Sequence, residues 1–166
     1  MDKIKAIEFE EFFVDVPDEY KEFMSAKHGI LKENGYKLKV ERKATGLFAS
    51  YSHPKTKRSV LNFFFRKNGF YARIYADNHG KYKDFLDNLP ERMEKEIAKS
   101  TDCKRLIDPA DCNQKCIMGY DFYIRSTHYK KCRYNCFQFA VNKESAEILS
   151  AFADNEINGR LTDDKE

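Results

Sequence analysis

Between Tyr36 and Ala76 the chain makes four short apolar runs whose links are too short for parallel neighbours, and this constrains the fold more than any other feature. Tyr36, Leu38 and Val40 alternate with Lys37, Lys39 and Glu41, the two-residue period of a half-buried strand. Thr45-Gly46 ends that run, Leu47 to Tyr51 forms the next, and a polar turn around His53-Pro54 precedes Val60 to Phe65. Asn68-Gly69 then separates Phe65 from Phe70 to Ala76, and this dipeptide supplies the positive φ angles of a tight hairpin. Parallel strands need a crossover of a dozen or more residues, so these four strands predict an antiparallel meander.

Helical patterns flank the meander. Pro17 suits a first helical turn, Asp18, Glu19 and Glu22 suit its positive end, and Tyr20, Phe23, Met24, Ala26, Ile30 and Leu31 recur at helical spacing before Gly35. This predicts a helix over 18–34. Residues 80–88 and 90–100 read as helices with Phe85, Leu89, Met93 and Ile97 on one face and Pro90 at their junction. No periodicity marks Ser100 to Met118. Tyr120, Phe122 and Ile124 alternate, as do Phe137, Phe139 and Val141, which predicts a second hairpin; Asn142 then caps a helix with Ala146, Ile148, Leu149 and Phe152 buried. Residues 158–166 read as a loose acidic tail.

The expected fold class is α+β: an antiparallel meander with flanking helices, then a Cys-rich segment, a second β-hairpin and a C-terminal helix. Residues 1–100 form the first unit and 101–157 a Cys-rich hairpin-helix unit packed with it. The residues Tyr36 to Val40, Val60 to Phe65, Lys67-Asn68-Gly69 and Ala72-Arg73-Ile74, in their helix, meander, helix order, resemble small bacterial α+β domains of the YdhG/YjbR-like kind. The resemblance covers 18–100 and implies a fold rather than an activity.

Charge is unevenly distributed. Residues 1–22 carry three Lys against eight acidic residues, net −5, and 154–166 carry two basic against five acidic, net −3. Residues 34–76 hold ten Lys and Arg against Glu41 alone, net +9. If Leu61, Phe63 and Phe65 face the core, Phe64 faces away, and Tyr71, Arg73 and Tyr75 share its face with Lys37 and Lys39. Aromatic rings among cations are what single-stranded nucleic-acid platforms use, and Lys130, Lys131 and Arg133 extend the set. An acidic cover made by Glu8, Glu10 and Glu11 is the competing expectation, with self-neutralisation as its purpose. The 14 Phe and 10 Tyr exclude a disordered chain. No apolar run approaches the ~18 residues of a membrane span and the acidic start lacks a signal pattern, so a cytoplasmic protein is expected.

All five cysteines fall between 103 and 136. An odd count without a secretory signal argues against a disulfide framework. Cys112/Cys116 and Cys132/Cys136 form two Cys-x3-Cys pairs, which match the soft donor set of a tetrahedral structural zinc site, with His128 as substitute ligand. On a continuous strand Cys132 and Cys136 would lie ~13 Å apart, so chelation demands a turn at Arg133-Tyr134-Asn135. Phosphate-cradling, dinucleotide and hydrolase motifs are absent, and Asp77 with His79 is the one candidate acid-base pair in a loop. The expected function is a non-enzymatic binding or regulatory module with zinc and an anionic, nucleic-acid partner. The alternative is a small enzyme or small-molecule sensor with an aromatic pocket lined by Tyr71, Tyr75, Asp77 and His79.

Overall fold

The computed structural model describes residues 5–163. In chain order it holds α1 (Phe9–Asp15), a 3-10 turn (Asp18–Tyr20) leading into α2 (Lys21–Glu33), and four strands, β1 (Lys37–Lys43), β2 (Gly46–Ser52), β3 (Ser59–Arg66) and β4 (Gly69–Ile74). A second 3-10 turn (His79–Tyr82) precedes α3 (Lys83–Asp87), α4 (Glu91–Lys99) and the short α5 (Lys104–Ile107). The chain ends through β5 (Tyr120–Ile124), β6 (Thr127–Lys131), β7 (Gln138–Ala140) and α6 (Ala146–Asp163). One sheet has the order β1-β2-β3-β4-β7, and β5-β6 is a separate two-stranded sheet. The class is α+β with antiparallel sheets, as the short links require.

The chain divides into two compact units, 1–72 with 140–153, and 73–139 with 154–166. The division therefore falls inside β4, β7 and α6, and not at 100/101 as the sequence suggested.

In the first unit, the meander sets Val40 opposite Ala49 and Ala49 opposite Phe63, with a register shift between Tyr51 and Ser52 against β3. One sheet face carries Ala49, Tyr51, Leu61, Phe63 and Phe70, all buried, and receives Phe12 of α1 and Met24 and Leu31 of α2. Phe12 stacks obliquely on Phe65 and Phe70, and Phe23 meets Phe63 edge-on. Burying an aromatic or aliphatic side chain of this kind stabilises by about 1.5–3 kcal/mol each, so this face is the unit's core. Helix α2 stops where a side chain would be strained: Gly35 has φ +81°, Tyr36 N–H donates to Leu31 O at 3.0 Å and Gly35 N–H to Lys32 O at 3.1 Å. That is a Schellman ending, which the sequence position of Gly35 predicted. The predicted 18–34 helix accordingly begins as a 3-10 turn and becomes α-helical at Lys21. At the start of α6, the Asn142 side chain accepts from the Glu144 and Ser145 N–H groups, both at 3.0 Å, the cap expected of it.

The expected second hairpin is corrected by the second unit. Residues 120–124 pair with 127–131, not with 137–141. The two-residue link Arg125-Ser126 closes this hairpin with Arg125 at φ +53°, a left-handed conformation costing about 1–2 kcal/mol for a residue with Cβ. Its Arg125 N–H donates to Asp87 at 2.6 Å and its guanidinium to Asp87 O at 2.8 Å and to Glu94, contacts that offset the strain. The run 127–131, Thr-His-Tyr-Lys-Lys, lacks apolar alternation and was invisible as a strand. Phe137 instead accepts at its carbonyl from Ile74 N–H at 2.9 Å, and in the first unit Val141 N–H donates to Phe70 O at 2.8 Å, an antiparallel pattern. The loose tail expected at 158–166 is also corrected: helix continues to Asp163, with Gly159 and Arg160 buried, while 164–166 lie outside the described residues.

Candidate functional site

Four of the five cysteines line one cavity of about 370 Å³ in the second unit: Cys103, Cys112, Cys116 and Cys132. Cys103 precedes α5. Cys112 and Cys116 sit on consecutive turns of the irregular 108–118 segment, where Cys116 N–H donates to Asn113 O at 3.0 Å. Cys132 follows β6, held by its N–H to Thr101 O at 2.8 Å. The chain turns at Arg133-Tyr134-Asn135, with Cys136 N–H on Cys132 O at 3.0 Å, so the turn that the Cys132/Cys136 spacing demanded is present.

The wall of this cavity is basic. Lys104, Arg105, Lys115 and Arg133 contribute to it beside the thiols. Backbone donors already point at two of the sulfurs: Gly119 N–H lies 3.3 Å from Cys103 Sγ and Met118 N–H 3.4 Å from Cys116 Sγ. Cys136, by contrast, is 1% exposed, and burial pushes its thiol well above the usual range. Among the described residues no three His, Cys, Asp or Glu side chains are already gathered to hold a metal ion. His128, the substitute ligand of the sequence, lies exposed on β6, stacked on Tyr123 with centroids 4.4 Å apart and bonded to Asp121 at 2.5 Å.

Beside the cavity lies a buried ionic network that the sequence did not announce. Asp77 accepts from Arg133 Nη2 at 2.9 Å, Arg160 Nη2 at 3.3 Å and the Tyr120 hydroxyl at 3.4 Å. Arg160 donates its Nε to Glu156 at 2.8 Å and Nη2 to Tyr75 O at 2.8 Å. Glu156, fully buried, also accepts from Tyr82 Oη at 2.7 Å, Asn78 N–H at 2.9 Å and Asn78 Nδ2 at 2.9 Å. Burial and the adjacent Glu156 carboxylate push the Tyr82 phenol far above its ordinary range, so it acts as a donor at any working pH. Two arginines face two carboxylates; Glu156 takes four donors and Asp77 three. The arrangement holds 75–82, Tyr120, Arg133 and α6 in place.

His79, paired with Asp77 in the sequence, packs instead against the rings of Tyr120 and Phe122, with centroids 6.0 and 5.8 Å away. Burial lowers its pKa, and the carboxylates of Glu156, Asp77 and Asp121 pull only partly the other way. An unfolded imidazole takes its proton near pH 6.5. The unfolded chain therefore binds more protons just below that pH, and stability falls as pH drops through about 6.5 until the folded-state pKa is passed. His28 is shifted the same way by burial and by Lys32, with Glu10 opposing. Urea midpoints measured from pH 7 to pH 5 should decline, and the decline should be shallower in His79→Gln; an equal slope in both proteins contradicts this account.

The outward face of the meander is a row of stacked rings. Phe48 lies 5.3 Å from Phe64 at 21°, and Phe64 lies 5.8 Å from Tyr71 at 18°. Lys43 sits over Phe48, and Arg66 over both Phe64 and Tyr71. Lys37, Lys39, Lys43, Arg66 and Lys67 are exposed around it, with Lys39 and Lys43 flanking Glu41 at 3.0 and 3.4 Å. Most other members of the predicted surface are buried or bonded within the protein. Phe64 is 4% exposed, as is Tyr75. Arg73 donates to Gln138 at 3.1 and 2.7 Å, Lys131 is buried with its Nζ on Ala98 O, Ser100 O and Asp102, and Arg133 is buried against Asp77. Lys130 is half-buried in the second unit. Helix α1, which carries Glu10 and Glu11, packs through Phe12 on the opposite, Phe63/Phe70 face, so these glutamates do not cover the ring row.

No family model, curated protein or solved structure matches this chain. Among the described residues no helix is long and apolar enough to cross a membrane.

Proposed function

We propose that this protein is a non-enzymatic binding or regulatory module, and that its partner is an anionic polymer of the single-stranded nucleic-acid class held on the outward face of the meander. The observation that carries the reading is the Phe48-Phe64-Tyr71 row with Lys43 and Arg66 laid on its rings. Phe48 and Tyr71 are half-exposed, and buried Phe64 is the spacer between them. Lys37, Lys39 and Lys67 stand around the row for phosphates. The four donors on buried Glu156 and the two arginines on Asp77 support the non-enzymatic part, since a general acid or base must exchange its proton with a substrate and these carboxylates are spent on holding the fold.

Titration with single-stranded RNA and DNA at two salt concentrations tests the reading. Affinity should fall steeply with salt, because each neutralised phosphate releases counterions. Tyr71→Ala should remove about 1–3 kcal/mol of binding, the range for loss of one stacked base, and Lys39→Ala should reduce the salt slope by about one. Absence of binding at low salt would falsify the proposal and leave the basic residues of the β1 edge strand as protection against edge pairing.

A further inference from the structure

We propose that Cys103, Cys112, Cys116 and Cys132 form a tetrathiolate site for one zinc ion, and that Cys136 is not among its ligands. The two Cys-x3-Cys pairs suggest a different set; the cavity decides between them. It is lined by the four named thiols and not by Cys136, whose side chain is turned into the interior at 1% exposure. Four sulfurs, with no oxygen-rich competitor beyond Asp102, are the donor type that selects zinc over magnesium or calcium. Asp102 is itself engaged by Lys131 Nζ at 2.8 Å.

The surroundings match the charge such a site carries. Four thiolates around Zn²⁺ leave a net charge of −2, and binding releases the thiol protons to solvent. Lys104, Arg105 and Lys115 on the wall balance that charge, while Arg133 is already paired with Asp77. The Gly119 and Met118 N–H groups already directed at Cys103 and Cys116 are the outer-shell donors a metal-bound thiolate accepts. Arg105 adds a third indication: its Nε is buried without an acceptor among the described residues, in the wall of this same cavity. Closure onto a metal requires the sulfurs to approach until each is about 2.3 Å from zinc. The 108–118 segment that carries Cys112 and Cys116 has no helix or strand to break, so this approach costs little regular structure.

The inference rests on the cavity and is independent of nucleic-acid binding, which either protein state is free to show or lack. Elemental analysis of the full chain, purified without an affinity tag, should find one zinc per chain. Cobalt substitution should give the intense thiolate-to-cobalt absorption of a four-sulfur site. Cys136→Ser should retain both the metal and this absorption, whereas Cys112→Ser, Cys116→Ser and Cys132→Ser should each lose them. Cys103→Ser should lose them too while keeping the far-ultraviolet circular dichroism of the parent; exposed Cys112 supplies the variant least able to disturb the fold. Failure to bind added zinc or cobalt overturns the proposal. So does loss of metal in Cys136→Ser together with its retention in Cys103→Ser.

Discussion

Glu156→Ala is expected to lower folding stability by about 3–5 kcal/mol, because it strips the counter-charge from a buried arginine. Glu156 is fully buried, and its two oxygens take Arg160 Nε, Tyr82 Oη, and the backbone and side chain of Asn78. Without it Arg160 keeps only Asp77 and the Tyr75 carbonyl, and three neutral donors lose their acceptor. Glu156→Gln keeps the shape and one acceptor, so it should cost less. Replacing both members, Glu156→Leu with Arg160→Met, should cost less than the sum of the single changes, because no charge is then stranded. Urea unfolding of the parent, Glu156→Ala, Glu156→Gln, Glu156→Leu, Arg160→Met and the double variant decides the matter. A loss below about 1 kcal/mol for Glu156→Ala would show that water reaches the network and solvates Arg160.

Gly119→Ala should cost about 3 kcal/mol, at the upper end of overpacking penalties. A Cβ there would collide with the Lys131 carbonyl oxygen and stand 2.8 Å from Cys103 Cβ and 3.0 Å from its Sγ. Neither neighbour yields easily. Lys131 is fixed by its ladder in β6 and by its ammonium on Ala98 O at 3.0 Å, Ser100 O at 3.0 Å and Asp102 at 2.8 Å. Cys103 is fixed by its N–H on Lys130 O at 2.9 Å. As a control, Gly29→Ala in α2 meets nothing within 4 Å and should stabilise by about 0.5–1 kcal/mol through helix propensity. Thermal unfolding of both variants provides the comparison; equal and small effects would mean that the 119/131 contact relaxes freely.

The meander was legible because its signal is local. Alternation at Tyr36 to Val40 and a stop at Gly35 each act over a few residues and lie where the pattern placed them; the β3-β4 hairpin also forms, but it turns at Lys67-Asn68, and of the Asn68-Gly69 dipeptide Gly69, the first residue of β4, has the positive φ, +140°. The β5-β6 hairpin was missed for the complementary reason. Its second strand is polar, its turn has Arg125 at positive φ in place of glycine, and the pairing is held by Asp87 and Glu94, far away in sequence. The cysteines were legible as a cluster, but their spacing favoured Cys136 over Cys103. Spacing carries no information on which thiol the turn at 133–135 rotates inward.

The sequence by itself determined the class of the fold, the core face of the meander and the crowding of thiols into 103–136, since short-range periodicity and turn chemistry act before any long-range contact exists. Only the tertiary structure decided which charges are available. Lys131, Arg133, Arg73 and Arg160 read as four cations of one kind along the chain, yet each ends against a partner from another segment. The physical reason is that a cation leaves water at bearable cost only when folding brings acceptors to its N–H groups, and the acceptors on Lys131, Arg133 and Arg73 lie 29, 56 and 65 residues away along the chain.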